Sequence, residues 1–234
     1  MTYNENSNIG EVVAQDYKTA IVFKSHKIDF CCNGNRTISD AAEKKKIDIK
    51  KLMSELNNIS TTNNDSGIDF NSWPVDLLAD YIERIHHTYV EEKLPVLVQL
   101  LDKLRKVHGG NHPELYRIYD LFEGAALDLT QHMKKEETIL FPYARQVGKR
   151  KKEENQVFDS VKNPVNVMMA EHENEGDRFR EIRELTNDYT PPADGCTTYR
   201  VAFSLLEEFE EDLHKHIHLE NNILFPKLVN AGVK

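Results

Sequence analysis

Long apolar runs are missing from this sequence. It has no stretch of about 18 apolar residues, the length that a helix needs to cross a bilayer. Residues 1–5 (MTYNE) carry neither a basic start nor an apolar segment, so we expect no secretory signal. Cysteine is also scarce, with Cys31, Cys32 and Cys196 the only three among 234 residues. An odd, low count without a signal indicates a reducing cytoplasm and no disulfide framework. We therefore expect a cytoplasmic protein with no membrane partner.

Positive charge is in deficit, since 30 Lys and Arg residues face 39 Asp and Glu residues, a formal net charge of −9. Phosphate contacts need a basic face, so this balance argues against a nucleic-acid partner. The one basic run, residues 149–152 (KRKK), is followed at once by Glu153 and Glu154, which is typical of a solvated loop.

The chain divides at residues 58–72 (NISTTNNDSGIDFNS), a segment rich in turn-forming residues and without periodicity, which we interpret as a linker. Residues 1–57 before it predict a small helical domain. In that domain Val13, Tyr17, Ala20 and Ile21 fall on one helix face, and residues 38–56 predict one or two more short helices.

Residues 73–234 predict a larger all-α domain with four long amphipathic helices. The expected helices span about 74–106, 113–147, 164–186 and 198–229. Within the first of them Pro95 is expected to kink or interrupt the helix. Because the connecting segments are of modest length, the helices should form an antiparallel four-helix bundle.

Two of these helices carry the same polar insertion in an otherwise apolar face. The segment HMKKEETILFP, residues 132–142, matches HIHLENNILFP, residues 216–226, in register at His, Glu, Ile, Leu, Phe and Pro. The apolar stripe along each helix, its seam, includes these positions, so His132 with Glu136, and His216 with Glu220, should point toward the bundle core. Burying an unpaired carboxylate costs several kcal/mol. One such pair is more simply a hydrogen-bonded core pair, but the repetition indicates a shared metal.

The remaining histidines differ in how well they fit that site. The third helix has a seam that points His172 inward. The first helix offers His86 and His87, and periodicity slightly favours His86 without settling the choice. The other histidines are expected outside the site. His214 and His218 lie about 200° around the helix from His216 and should face solvent. Three more fall at helix ends or in loops: His26, His108 and His112.

These motifs resemble the RIC (repair of iron centres) family of bacterial di-iron proteins, whose bundle is of the hemerythrin type. The similarity covers nearly the whole chain. It rests on the two repeated His-x-x-x-Glu…Leu-Phe-Pro segments, on residues 171–173 (EHE), and on residues 190–192 (TPP) followed by 196–198 (CTT). Residues 29–34 (DFCCNG) are similar to the short Cys-Cys domain that precedes the bundle in this family.

The resemblance implies a carboxylate-bridged site for two Fe per chain. In the family the first-helix ligand lies seven residues before the Leu of a Leu-Pro pair, here Leu94-Pro95, which selects His87 over His86. The family motif continues Gly-Gly after the cysteines, whereas Asn33 stands here, a residue type that tolerates positive φ well. The implied terminal ligands and the two bridging ligands are His87, His132, His172 and His216, with Glu136 and Glu220.

The function that the resemblance implies is repair of iron–sulfur clusters damaged by nitrosative or oxidative stress, through supply of iron. The expected partners are damaged iron–sulfur proteins, NO or O2 as small ligands, and a second copy of the chain in a homodimer. One alternative is an enzyme that reduces nitric oxide at the di-iron centre. Another is an O2/NO sensor or carrier, but carriers typically have a His-x-x-x-x-Asp where His216-x-x-x-Glu220 stands here.

The cysteines leave two interpretations open. Cys31 and Cys32 are either packing residues or a redox or iron-transfer pair, and adjacent cysteines form only strained disulfides. The helix that Thr37 is expected to lead would favour a thiolate in this pair. We expect Cys196 to be structural.

Overall fold

The computed structural model describes residues 3–61, 68–149 and 161–231. The N-terminal part contains α1 (Ile9–Gln15), α2 (Thr19–Ser25), α3 (Ile38–Lys45) and α4 (Ile49–Thr61). Local sequence sets where two of them begin. The side chain of Asn8 accepts the N–H of Glu11 at α1, and Thr37 and Asp40 form a capping box at α3.

The single helix face expected around Tyr17 is wrong. The chain turns between α1 and α2, where the side chain of Asp16 accepts the N–H of Lys18 and its backbone carbonyl accepts the hydroxyl of Thr19. Ile21 is consequently 66% exposed. α4 also continues to Thr61, so residues 58–61 of the expected linker are helical, while residues 62–67 lie outside the described part.

Four helical stretches form the C-terminal bundle, and the expected all-α fold is confirmed. The first comprises α5 (Val75–Tyr81), a π-helical turn (Ile82–His87) and α6 (Thr88–His108). The second comprises α7 (Glu114–Lys135), a π-helical turn (Glu136–Leu140) and α8 (Phe141–Lys149). The third is α9 (Lys162–Leu185). The fourth comprises α10 (Thr197–Leu219), a π-helical turn (Glu220–Leu224) and α11 (Phe225–Ala231).

The first stretch continues through its proline, since Pro95 lies inside α6 without interrupting it. Of the basic run at 149–152, only Lys149 is described, at the end of α8, and the other three residues lie outside the described part. Among the residues that are described, no helix is both long and apolar enough to cross a membrane.

The apolar interior forms two clusters with a polar layer between them. The larger cluster joins Phe23 and Ile38 of the N-terminal part to Phe122, Phe179 and Phe209 of the bundle. The smaller one lies at the other end of the bundle and includes Ile82, Phe141, Leu224 and Phe225. Along the second and fourth stretches the repeated His-x-x-x-Glu segments fall between residues of the two clusters, so the fold places them at the boundary.

The N-terminal part packs directly on the bundle. It shares the larger apolar cluster, and polar contacts surround that shared core. Asn221 and Asn222 donate to the carbonyl oxygens of Cys31 and Phe30, each at 3.1 Å, and Arg180 donates to Asp29 at 3.1 Å. The cysteine turn is therefore held against the fourth and third helical stretches.

Candidate metal centre

Three π-helical turns shape the centre, and a π turn inside an α-helix is a frequent mark of a functional site. In two of them the N–H of Phe141 donates to the backbone carbonyl of Glu136, and the N–H of Phe225 donates to the backbone carbonyl of Glu220, each five residues back. Pro142 and Pro226 follow at once. A proline crowds the carbonyl four residues before it, and a widened turn before the proline relieves that clash. The Leu-Phe-Pro ending of the repeat thus explains the local backbone.

Six buried side chains converge between the helices. They form two groups, each with two imidazoles and both carboxylates, and within each group one ligand atom per residue lies within 4.8 Å of the others. The two groups are His87, His216, Glu136 and Glu220, and His132, His172, Glu136 and Glu220. All six residues expected from the sequence as ligands are therefore brought together.

Each carboxylate offers one oxygen to each group. Oε2 of Glu136 lies 3.4 Å from Nε2 of His87, and Oε1 lies 3.3 Å from Nε2 of His132. This arrangement suits a carboxylate that bridges two cations.

Glu220 repeats the arrangement with the other two imidazoles. Its Oε2 lies 3.2 Å from Nε2 of His172, and its Oε1 lies 3.2 Å from Nε2 of His216. Burial alone would raise the pKa of Glu220, but the imidazoles of His216 and His172 outweigh it and hold that pKa well below its usual value. The carboxylate is thus ionised and ready to bind a cation.

The buried polar atoms of this centre lack ordinary partners. Within the described residues, both oxygens of Glu136 and of Glu220, and Nε2 of His87 and His216, are buried without a hydrogen bond. A buried polar group left in this state costs about 1–3 kcal/mol, and an ionised one costs more. Because all these atoms point into one space, a bound cation is the partner that fits them, and the donor set is suited to it.

A second conflict points the same way. Nε2 of His132 and Nε2 of His172 lie 2.9 Å apart. Their Nδ1 atoms lie 2.8 Å from Glu171 and 2.9 Å from Asn221 Oδ1, both hydrogen-bond acceptors, so in the neutral imidazoles Nδ1 carries the proton. Two neutral rings would therefore turn two Nε2 lone pairs toward each other. Without a metal, one ring is protonated instead: against the effect of burial, the charge of Glu136 raises the pKa of His132 to about 10, and a cation would take the place of that proton.

The sequence reasoning missed the residues that orient the ligand imidazoles. Glu137, Glu171 and Asn221 accept from Nδ1 of His87, His132 and His172 respectively. Each is next to a ligand in sequence yet supports a ligand on the preceding helical stretch. Such partners fix the imidazole orientation and typically change metal affinity by about 10–100-fold. Adjacency to a predicted ligand is the signal that could have found them.

His86 lies outside both ligand groups although it is buried. Its Nδ1 lies 2.9 Å from Asp212, and its ring stacks on that of His216 at 5.6 Å. Periodicity therefore favoured the wrong neighbour, because the π turn shifts the register by one residue just here.

His87→Ala should lose bound metal, whereas His86→Ala, an equally buried neighbour, should retain it. The reason is that only His87 directs Nε2 at Glu136. Metal content of the two purified variants measures this, and retention in His87→Ala with loss in His86→Ala would contradict the geometry.

The expectation that His218 faces solvent is wrong, whereas His214 is half-buried, with 24% of its side chain exposed. His218 is buried against the rings of Tyr17 and Phe30, its Nδ1 lies 2.9 Å from Asn222, and burial lowers its pKa to about 3. The ring of His214 also faces Phe30. The N-terminal part covers this face of α10, which periodicity within the bundle cannot reveal.

The cysteine turn touches the centre. The thiol of Cys32 donates to the carbonyl oxygen of His172 at 3.2 Å, and Asn221 links the carbonyl of Cys31 to the imidazole of the same His172. The hydrogen bond that the Cys31 thiol donates to Cys32, together with burial, raises the pKa of Cys31 well above its ordinary value. The raised pKa counts against a thiolate at Cys31, and the expected reactive thiolate of the pair stays a prediction.

Cys196 differs from the expected structural cysteine. It is exposed at the N-cap of α10, and its Sγ lies 3.3 Å from Nε2 of His108. The backbone N–H of Tyr199 and the His108 imidazole lower the pKa of Cys196 to about 7.

Under native conditions near pH 8, iodoacetamide should modify Cys196 first and Cys31 last. The thiolate is the nucleophile, so a lowered pKa and exposure favour Cys196, while burial and a raised pKa protect Cys31. Timed mass spectrometry of peptides checks the order, and modification of Cys31 at the rate of Cys196 would refute it.

Comparison with known proteins agrees with this architecture. Residues 78–228 match the hemerythrin HHE cation-binding domain, and residues 5–60 match ScdA_N, described as a domain of unknown function (DUF542). The iron–sulfur cluster repair protein ScdA of Staphylococcus epidermidis is 32% identical over 221 residues, 94% of this chain and 96% of its own. The iron–sulfur cluster repair protein YtfE of Yersinia pestis is 36% identical over 234 aligned residues, 97% of this chain and 98% of its own.

The fold, the buried His and Glu groups and the domain match define the class as a hemerythrin-like cation-binding bundle. With its N-terminal ScdA-type domain, the chain belongs to the family of iron–sulfur cluster repair proteins that includes ScdA and YtfE.

Proposed function

We propose that this protein repairs iron–sulfur clusters damaged by nitrosative or oxidative stress by supplying iron from a di-iron centre. The relatives ScdA and YtfE are named for iron–sulfur cluster repair. The observation that carries the proposal is that two groups of ligand atoms share both carboxylates. The proposed ligands are the terminal His87, His132, His172 and His216 and the bridging Glu136 and Glu220.

The donor chemistry supports iron as the cargo. Imidazole suits iron among several transition metals, and carboxylates on facing bundle helices are the ligands that di-iron proteins use. Bound there, iron is both the resident metal and the material that a damaged cluster lacks. Every proposed protein ligand is nitrogen or oxygen, whereas clusters are held by cysteine thiolates, so iron that leaves this centre for a cluster would exchange one type of ligand for the other.

A cavity of about 240 Å³ gives the cargo a route to solvent. It reaches the ligands His132 and His172, and Asp128, Glu171 and Glu175 line it. Burial raises the pKa of Glu175 to about 7, so this carboxyl is ionised above that pH and then adds negative charge to the wall. A carboxylate that swung from bridging to one-sided binding would loosen the cation. Asp128, Glu171 and Glu175, which pair with Arg178 and Lys135, would then offer it the next oxygen ligands.

The proposal is tested with isotopically labelled iron. The labelled, reduced protein is incubated anaerobically with an NO-damaged cluster protein, and label and cluster absorption are followed in the acceptor. We expect label to enter the acceptor as the cluster recovers, and the metal-free protein to give no recovery. If NO is consumed catalytically and no label moves, the chain is instead a nitric oxide reductase.

A further inference from the structure

The turn that carries the two cysteines brings three metal-ligating atoms together outside the bundle centre. One ligand atom each of Asp29, Cys31 and Cys32 lies within 4.8 Å of the others. The two sulfurs are 3.7 Å apart, and Sγ of Cys31 is 3.4 Å from Oδ1 of Asp29. Both cysteines are free thiols.

These spans fit a tetrahedral metal ion. With metal–sulfur bonds of about 2.3 Å and metal–oxygen bonds of about 2.1 Å, two ligand sulfurs lie about 3.8 Å apart, and sulfur and oxygen about 3.6 Å. A disulfide would need the sulfurs at about 2.05 Å. The turn thus has nearly the spacing of a chelate.

Asp29 is fixed in place by the turn itself. Its Oδ1 accepts the backbone N–H groups of Cys31, Cys32 and Asn33 at 3.1, 2.9 and 3.4 Å. Its Oδ2 accepts from the Asn33 amide at 2.9 Å and from Arg180 at 3.1 Å. Asn33 stabilises the turn through its side chain, and its own φ is not positive. Among the described residues no glycine has a positive φ. Ligands held in this way need little reorganisation on binding.

The surroundings give this site one directly paired cation, since Arg180 pairs with Asp29, while Lys24, Lys27 and Arg183 pair with other carboxylates. Two thiolates, one carboxylate and a divalent cation sum to a single negative charge. A cavity of about 390 Å³ reaches Asp29 and Cys31, and cationic side chains line it together with three further carboxylates. The cations are Lys24, Lys27, Lys45, Arg180 and Arg183. The cavity also provides an entry path.

We propose that Asp29, Cys31 and Cys32 form a third metal site for one divalent cation that accepts thiolate ligands, such as Fe(II), Zn(II) or Co(II). Binding forms two metal–sulfur bonds and one metal–oxygen bond, and the two thiol protons pass to solvent. Solvent would supply the fourth ligand, through the cavity that reaches Asp29 and Cys31. That this site takes iron leaving the bundle rests on the proposed function, whereas the site itself does not.

Cobalt is the probe for this site. The full chain, with its bundle centre loaded with iron, is titrated anaerobically with Co(II), and the thiolate-to-cobalt charge-transfer absorption is recorded. The expected bundle ligands are only imidazoles and carboxylates, so a thiolate band reports a cysteine site, and the same titration of Cys196→Ser excludes Cys196 beside His108 as its origin. We expect one Co(II) per chain with this band.

Single substitutions distinguish the loss of a metal ligand from the loss of the fold. Cys31→Ser, Cys32→Ser and Asp29→Asn should each weaken cobalt binding by more than about tenfold, while Cys196→Ser should not. Asn at position 29 keeps an oxygen for the backbone N–H groups. Unchanged iron content and far-ultraviolet circular dichroism show that a variant is folded.

Two results overturn the proposal: no thiolate band in the folded wild type, or an undiminished band in Cys31→Ser, Cys32→Ser or Asp29→Asn. Failure of the proposed function is seen separately, as absence of label transfer from a chain that does show the band.

Discussion

Glu136→Gln and Glu220→Gln should each reduce bound iron from two per chain to one or fewer, because an amide cannot bridge two cations with two anionic oxygens. Both carboxylates belong to both ligand groups, so either substitution damages both positions at once. The size is nearly unchanged, which keeps the packing intact. Iron analysis after anaerobic loading gives the readout.

The neighbouring Glu137→Gln is the matched control. Its amide oxygen can still accept from Nδ1 of His87, so two Fe per chain should still load at saturating iron, while loss of the charge lowers the affinity by up to about 100-fold. Equal iron in all three variants would show that the buried glutamates do not bridge.

The thermal stability that bound metal adds should differ among these variants in the same way as their iron content. Binding to the folded state alone adds about 2.7 kcal/mol per site when free metal is 100 times Kd. For a chain of this length that corresponds to a Tm change of roughly 5–10 °C per site. Chelation should therefore lower the Tm of the wild type and of Glu137→Gln, and lower it much less in Glu136→Gln and Glu220→Gln.

Replacing both cysteines of the N-terminal turn should slow iron delivery several-fold without changing the iron content of the bundle. The turn is hydrogen-bonded to the carbonyl of His172 directly and to its imidazole through Asn221. It is therefore placed to receive iron beside that ligand. The double variant Cys31→Ser, Cys32→Ser is compared with wild type and Cys196→Ser in the labelled-iron assay.

Equal label transfer by all three proteins would show that the cysteine turn has no part in iron delivery.

Truncation to residues 73–234 is a poorer test. The N-terminal part shares the larger apolar cluster and covers His218, so its removal exposes apolar surface and perturbs α10 as well.

The repeated segments explain why the centre was predictable. Helix seams are periodic, so a His and a Glu at the same offsets in two seams are enough to place both carboxylates in the interior. The choice between His86 and His87 was not predictable by spacing, because the π turn at 82–87 breaks the 3.6-residue period on which spacing relies.

Contacts between distant parts of the chain could not be predicted for a related reason. His214 and His218 look exposed when α10 is considered within the bundle alone, yet Tyr17 and Phe30 cover them from the other domain. The turn at Asp16, which separates α1 from α2, depends on two local hydrogen bonds that hydrophobic periodicity does not register.

The central claim is that four imidazoles and two shared carboxylates hold a pair of iron ions. Metal analysis and visible spectroscopy of the protein, purified anaerobically from iron-replete cells and then oxidised, test it most directly. We predict two Fe per chain, with absorption bands of a bridged di-iron(III) centre that are absent from Glu136→Gln. A preparation that holds one Zn per chain and no second metal would contradict the claim.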